Sequence, residues 1–284
     1  MYGRLPMLID PLEDIQCNFV DRTTIVHCAS RYGLANLALR GLAIHWESMN
    51  INTQDSHGRT PLSISVIWAQ EIVTKCLAGV RGIDFNSPDS EGCTALSHAA
   101  QAESAPDGIF HDEAFPDETL ITRLTYIAIT KLLLSKEGID LNRQDKAGRS
   151  PLSYAAERPF REIVELLLQH TSIQPDIQDS DGRTPLSFAI PATPDEDPAF
   201  EISEIVKVCQ ERLAIAKLFL GTGKVDPLKK DADGRSPLKR AEEYLHLLKQ
   251  LDKDGRPLVG NVRDYVWMGD VQELVDLLKS YVKT

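Results

Sequence analysis

The chain of 284 residues is 42% hydrophobic and 26% charged, a balance that excludes disordered and fibrous classes and leaves room for a sizeable core. A formal net charge of −11 argues against non-specific adhesion to nucleic acid or anionic membrane. The cysteines (Cys17, Cys28, Cys76, Cys93, Cys209) are scattered, no asparagine sits in N-x-[ST], and neither an apolar leader nor a membrane-length apolar run occurs, so the expectation is a cytoplasmic or nuclear protein, not a secreted one.

In chain order, residues 1–18 are expected to cover a first helix pair, which Thr24-Ile-Val-His27-Cys-Ala29 opens within a degenerate unit spanning residues 1–54. One phrase then recurs: Asp55-Ser-His-Gly58-Arg-Thr-Pro-Leu-Ser63, Asp89-Ser-Glu-Gly92-Cys-Thr-Ala-Leu-Ser97, Asp145-Lys-Ala-Gly148-Arg-Ser-Pro-Leu-Ser153, Asp179-Ser-Asp-Gly182-Arg-Thr-Pro-Leu-Ser187 and Asp231-Ala-Asp-Gly234-Arg-Ser-Pro-Leu-Lys239. Its glycines stand 34, 56, 34 and 52 residues apart, so two gaps hold one period and two hold a period plus an insertion.

Each part of the phrase has a physical reading. Asp-x-x-Gly is a turn, with the carboxylate bonding backbone amides and glycine supplying positive φ. Thr or Ser before Pro starts a helix, because the hydroxyl caps it and proline at the first position sacrifices no hydrogen bond. Small pairs such as Ala99-Ala100 and Ala155-Ala156 leave a bare face for close packing. A second amphipathic helix follows, as in Ile129–Leu134, Ile163–Leu168 and Ile215–Leu220. One such unit cannot bury its own apolar face, so the units must stack into a solenoid.

These residues resemble the ankyrin repeat, whose helix pair opens with T-P-L-H-x-A-A behind D-x-x-G. The resemblance covers roughly residues 19–284 and implies an all-α solenoid of stacked helix pairs with hairpin-like turns. The chain departs from the family in placing Ser63, Ser97, Ser153 and Ser187 where histidine is usual; His27 keeps it. The G-R-T-P-L-S flavour resembles arrays of filamentous fungi. Repeats are expected to start near 55, 89, 145, 179 and 231, with a C-terminal capping repeat at about 255–284, where Tyr265–Leu278 resembles a final repeat core.

The two long gaps place insertions at about 101–122 and 191–208. The first carries Glu103, Asp107, Asp112, Glu113, Asp117 and Glu118, the second Asp195, Glu196, Asp197, Glu201 and Glu204, with no lysine or arginine over 101–119 or 191–204; these acids together match the net charge. Two readings stand: acidic loops that dock a basic partner, or solvated segments that keep the chain soluble.

Chemistry-bearing motifs fare poorly. Ser236-Pro-Leu-Lys239 fits S-x-x-K, yet it occupies a helix-start slot and lacks the companion S-D-N and K-T-G motifs. Gly221-Thr-Gly-Lys224 is followed by Val225 and lacks the leading glycine of a phosphate loop. The histidines show no metal spacing, and His111-Asp112-Glu113 reads as a solvated loop. No cofactor or metal is expected.

The resemblance implies that partners meet the turn tips and the exposed side of the first helices. Arg59, Arg149, Arg183 and Arg235, with Cys93 at the same position, follow the repeat glycines and form a candidate guanidinium column. They either face a partner or bridge to a neighbouring repeat's turn aspartate. His57, Lys146, Asp181 and Asp233 vary at the tips and are the candidate specificity residues. The reading is a non-enzymatic, monomeric scaffold for a protein partner, without direct nucleic-acid or membrane contact. A transcription coregulator acting through a DNA-bound factor is the alternative, and a small hydrolase or metalloenzyme the remote one.

Overall fold

A computed structural model describes residues 25–36, 50–101, 118–190, 202–253 and 266–282. These residues form helices and turns, with no strand among them. The helices are α1 (Ile25–Arg31), α2 (Pro61–Ile67), α3 (Glu71–Leu77), α4 (Ala95–Gln101), α5 (Glu118–Leu134), α6 (Pro151–Glu157), α7 (Arg161–Leu168), α8 (Pro185–Ala189), α9 (Ile202–Gly221), α10 (Pro237–Lys253) and α11 (Val266–Val282).

Helix starts follow from the capping chemistry. Thr60, Ser150 and Thr184 sit in extended backbone conformation, each accepts the N–H of the serine three residues on, and each is followed by proline. Such caps contribute about 1 kcal/mol each. Thr94 caps α4 in the same way with Ala95 in the proline position, and Ser236 accepts the Lys239 N–H at 3.2 Å. The serines in the family's histidine slot have a role of their own: the Ser63 hydroxyl donates to the Thr60 carbonyl, and the hydroxyls of Ser97, Ser153 and Ser187 bond the cap hydroxyl. His27 instead reaches the next repeat, its Nε2 lying 3.1 Å from the Arg59 carbonyl.

The helices stack in two rows. The inner row runs α1, α2, α4, α6, α8, α10, and the outer row α3, α5, α7, α9, α11, with inner and outer members of a repeat packed together. One apolar core runs through the stack, from Leu62, Leu96, Leu152 and Leu186 in the inner row to Val73, Ile129, Ile163, Ile215 and Leu274 in the outer row. Ala99, Ala100, Ala155 and Ala156 are fully buried, which is what lets inner helices approach their neighbours.

Both insertion sites end in lengthened outer helices. α5 and α9 have 17 and 20 residues against 7 in α3, so 118–122 and 202–208 are helical. α10 runs unbroken through residues 242–253, and α11 packs on α9 and α10 as the outer member of the last layer; Tyr265–Leu278 falls largely within it. Residues 1–24, the remainder of both insertions and 254–265 lie outside the described residues.

Candidate partner-binding surface

Each turn is fixed by its aspartate. Oδ1 of Asp55, Asp89, Asp179 and Asp231 accepts the backbone N–H groups two and four residues on, at 2.7–3.1 Å, and that of Asp145 accepts the Arg149 N–H at 2.8 Å. The repeat glycines take positive φ, and a Cβ on Gly58 or Gly148 would come within 2.6 Å of the next turn's backbone. That close approach lets the turns zip together: the amides of Ser90, Lys146, Ser180 and Ala232 donate to the carbonyls of His57, Glu91, Ala147 and Asp181 one repeat earlier, at 2.7–2.9 Å.

Two further ladders run at the base of the turns. Nδ2 of Asn52, Asn86 and Asn142 donates to the carbonyls of Gly82, Gly138 and Ser172, while their Oδ1 atoms accept the amides of Asp84, Asp140 and Gln174. Gln54, Gln144 and Gln178 donate across repeats to the carbonyls of Pro88, Gln178 and Lys230. Sequence reasoning missed both ladders, although the Asn and Gln recur at fixed distances before the turn aspartate.

Oδ2 of each turn aspartate takes a side-chain partner of its own repeat from one of two positions. In two repeats it is the arginine after the glycine: Arg59 Nε donates to Asp55 at 2.9 Å and Arg183 Nε to Asp179 at 3.0 Å. In the others it is the residue nine positions after the aspartate: His98 lies 2.8 Å from Asp89, the Tyr154 hydroxyl donates to Asp145, and Arg240 Nε donates to Asp231 at 3.1 Å. Burial raises the pKa values of Asp55, Asp89 and Asp231, but their Arg59, His98 and Arg240 bonds, helped by the turn amides, hold all three below the ordinary carboxylate value. The same burial pushes the Cys93 thiol up to about 12, so it is a packed thiol rather than a nucleophile.

The expected guanidinium column is therefore not uniform. Arg59 and Arg183 turn back onto the aspartate of their own turn, so the bridge to a neighbouring repeat's aspartate is corrected here: the pairing is within one turn, four residues apart. Arg149 lies between the rings of Tyr154 and Phe188, 4.1 and 4.4 Å from their centroids, and pairs with Glu157. Arg183 also faces Phe188, at 4.8 Å. Arg235 pairs with Asp233 on its own tip. Cys93, at the same position, does reach the next repeat, its sulfur 3.8 Å from Asp145 Oδ2.

The two residues between aspartate and glycine are exposed at every tip: Ser56 and His57, Ser90 and Glu91, Lys146 and Ala147, Ser180 and Asp181, Ala232 and Asp233. Of the acidic-loop residues, Asp112, Glu113, Asp117, Asp195, Glu196 and Asp197 lie outside the described residues, and Glu118 is the first residue of α5. Ser236 acts as a helix cap, with Lys239 Nζ 3.7 Å from Glu243, and Gly223 takes positive φ (+64°) where α9 ends. Among the described residues no three His, Cys, Asp or Glu side chains gather to hold a metal ion, and no helix is long and apolar enough to cross a membrane.

Stacked helix pairs with hydrogen-bonded, outward-pointing turns define a helical repeat solenoid. Residues 121–198 match the model of ankyrin repeats in three copies. The structure is similar to that of EF0377, an ankyrin repeat protein, at 23% identity and a TM-score of 0.58, covering 81% of this chain and 96% of that one. It is likewise similar to an ankyrin repeat domain from Acinetobacter baumannii AYE, at 19% identity and a TM-score of 0.60, covering 89% and 97%. No curated protein matches the sequence. Residues 121–198 thus match ankyrin repeats, and the fold of the described residues is that of an ankyrin-repeat solenoid.

Proposed function

We propose that the chain is a non-enzymatic scaffold that takes a protein partner along the turn tips and the concave side of the inner helices. Ankyrin repeats are, as a class, protein-interaction modules. The observation that carries the reading is the pairing of exposure with a fixed backbone: ten exposed tip residues stand on turns zipped to one another by amide–carbonyl bonds. A surface ordered before binding loses little entropy on association, so contacts made there convert efficiently into affinity. Tip chemistry differs from repeat to repeat, through His57, Glu91, Lys146, Asp181 and Asp233, so the row presents a pattern rather than a uniform charge.

The test is in-cell cross-linking of the parent chain and of a variant carrying His57→Ala, Lys146→Ala, Asp181→Ala and Asp233→Ala. These side chains are exposed, so the expected stability change is within about 0.5 kcal/mol per site. The partner cross-links of the parent should disappear in the variant. Retention of the same cross-links at the same yield would place the partner elsewhere.

A further inference from the structure

We infer that the second and third tips carry the charges a protein partner reads: Glu91 receives a basic side chain of the partner, and Lys146 an acidic one roughly one layer, about 10 Å, away. This rests on the interaction surface proposed above and names the partner's chemistry there. The charged tip residues are Glu91, Lys146, Asp181 and Asp233. Asp181 and Asp233 stand two residues after the turn aspartate and are neutralised within their own tips, Asp181 by Arg183 at 2.8 Å and Asp233 by Arg235. His57 holds the same place in the first tip, and Arg59 Nη2 lies 3.4 Å from its Nδ1. Glu91 holds it in the second tip, but there the residue after the glycine is Cys93, whose buried thiol is uncharged. The Glu91 carboxylate accordingly pairs with no cation among the described residues.

The third tip shows the converse. Ala147 takes the place of the acid, Arg149 is drawn down to Tyr154, Phe188 and Glu157, and Lys146 is left without a carboxylate in ion-pair reach among the described residues. The Lys146 amide donates to the Glu91 carbonyl at 2.9 Å, so the two tips are fixed side by side, yet their side chains do not pair with each other. A tip acid already held by its own arginine must give up that pair before it meets a partner's base. An exposed charge without a partner loses only hydration, and so contributes more to recognition. Unlike charges on neighbouring tips also set direction, because a segment laid down in the reverse sense meets like charges at both.

Charged nitroxides test the pattern on the free protein, since a cationic and an anionic nitroxide of one size relax amide protons according to the local potential. The ratio of cationic to anionic relaxation should be higher at residues 90–92 than at 180–182 and 232–234, by at least about twofold for potentials on the order of kT. At 146–147 the ratio should shift toward the anionic probe. Cys93→Arg, which gives the second tip the arginine of the others, should bring 90–92 to the ratio of 180–182, and Glu91→Gln should do the same without altering the buried position. Equal ratios at the second, fourth and fifth tips, or a ratio at 90–92 that Glu91→Gln does not move, would overturn the charge pattern, whatever the four-site alanine variant does. In the cross-linking experiment, Glu91→Gln and Lys146→Glu should each lower the yield of the tip-dependent cross-links at least about threefold, while Asp181→Asn should leave it at the parent level. Cross-links that vanish in the four-site variant yet persist in Glu91→Gln and Lys146→Glu would leave the tip surface standing and overturn its reading by charge.

Discussion

Each turn aspartate uses its two oxygens for different tasks, one holding the tip backbone and the other taking a side chain of its own repeat from either of two positions. The stack around Phe188 depends on the same arrangement, because Arg149, released from Asp145, lies against one ring that Arg183 also faces. Replacing the ring while keeping bulk should therefore show: Phe188→Leu is expected to lower stability by about 1 kcal/mol, the value of a partly desolvated cation–π contact. The loss should vanish in an Arg149→Met background if that pair carries it, which a double-mutant cycle in denaturant measures. A second residue-scale prediction concerns Ala69, at φ +51° in the turn between α2 and α3, where the first repeat has Gly33 at φ +70°. Ala69→Gly relieves left-handed strain at the expense of unfolded-chain entropy, so a net gain of about 0.5–1 kcal/mol is expected from the denaturation midpoint. The turns were legible in the sequence because Asp-x-x-Gly acts locally. The partner of Oδ2 was not, because Ile64, His98, Tyr154, Phe188 and Arg240 share no side-chain chemistry; what recurs is compensation between two positions, visible only once Oδ2 has been followed from repeat to repeat.

At the scale of the element, the inner helices read directly from sequence because hydroxyl cap, proline and leucine stand in consecutive positions. The starts of the outer helices after the insertions did not, since nothing local marks where an acidic insertion becomes the first turn of α5 or α9. Helix α8, of 5 residues, ends at Ala189, and its last carbonyls need donors. Arg212 of α9 supplies them: Nη1 donates to the carbonyls of Phe188 and Ala189 at 3.1 and 3.3 Å, and Nη2 to that of Glu157, at the end of α6, at 3.3 Å. One guanidinium thus closes the ends of two inner helices at the point where the insertion departs. Arg212→Met keeps the apolar stem and removes the donors, so a loss of about 2–3 kcal/mol is expected, given the worth of charged hydrogen bonds. Urea titration with an unchanged slope and a lowered midpoint would bear this out. A midpoint like the parent's would mean that water satisfies those carbonyls equally well.

Among the described residues the main helix contacts run between neighbouring layers, so stability is a sum of layer and interface contributions, and one interface is able to fail alone. His27 makes the first interface different. It is buried, and burial lowers its pKa below the ordinary 6.5 against the opposing pull of the Arg59 carbonyl and the Asp55 charge. Between 6.5 and that lower folded value the unfolded chain binds a proton that the folded chain does not, so stability rises with pH across this window. The contribution is fully present above pH 6.5 and is lost as the pH falls below it. Asp55, Asp89 and Asp231 act lower down: with folded pKa values held below 3.8, their contribution is present above that pH and lost as the pH falls through the folded values. Acidification should therefore open the array in two stages, first at the contact of α1 with α2, then at the turns of Asp55, Asp89 and Asp231. Hydrogen exchange at pH 7.5 and pH 5.5 reads the first stage, with protection expected to fall in 25–31 and 61–67 while 151–168 keeps its own. In His27→Gln, which cannot take up the proton, the difference between the two regions should no longer depend on pH. Protection falling equally in all repeats, or persisting pH dependence in the glutamine variant, would show that the first interface is held by something other than this histidine.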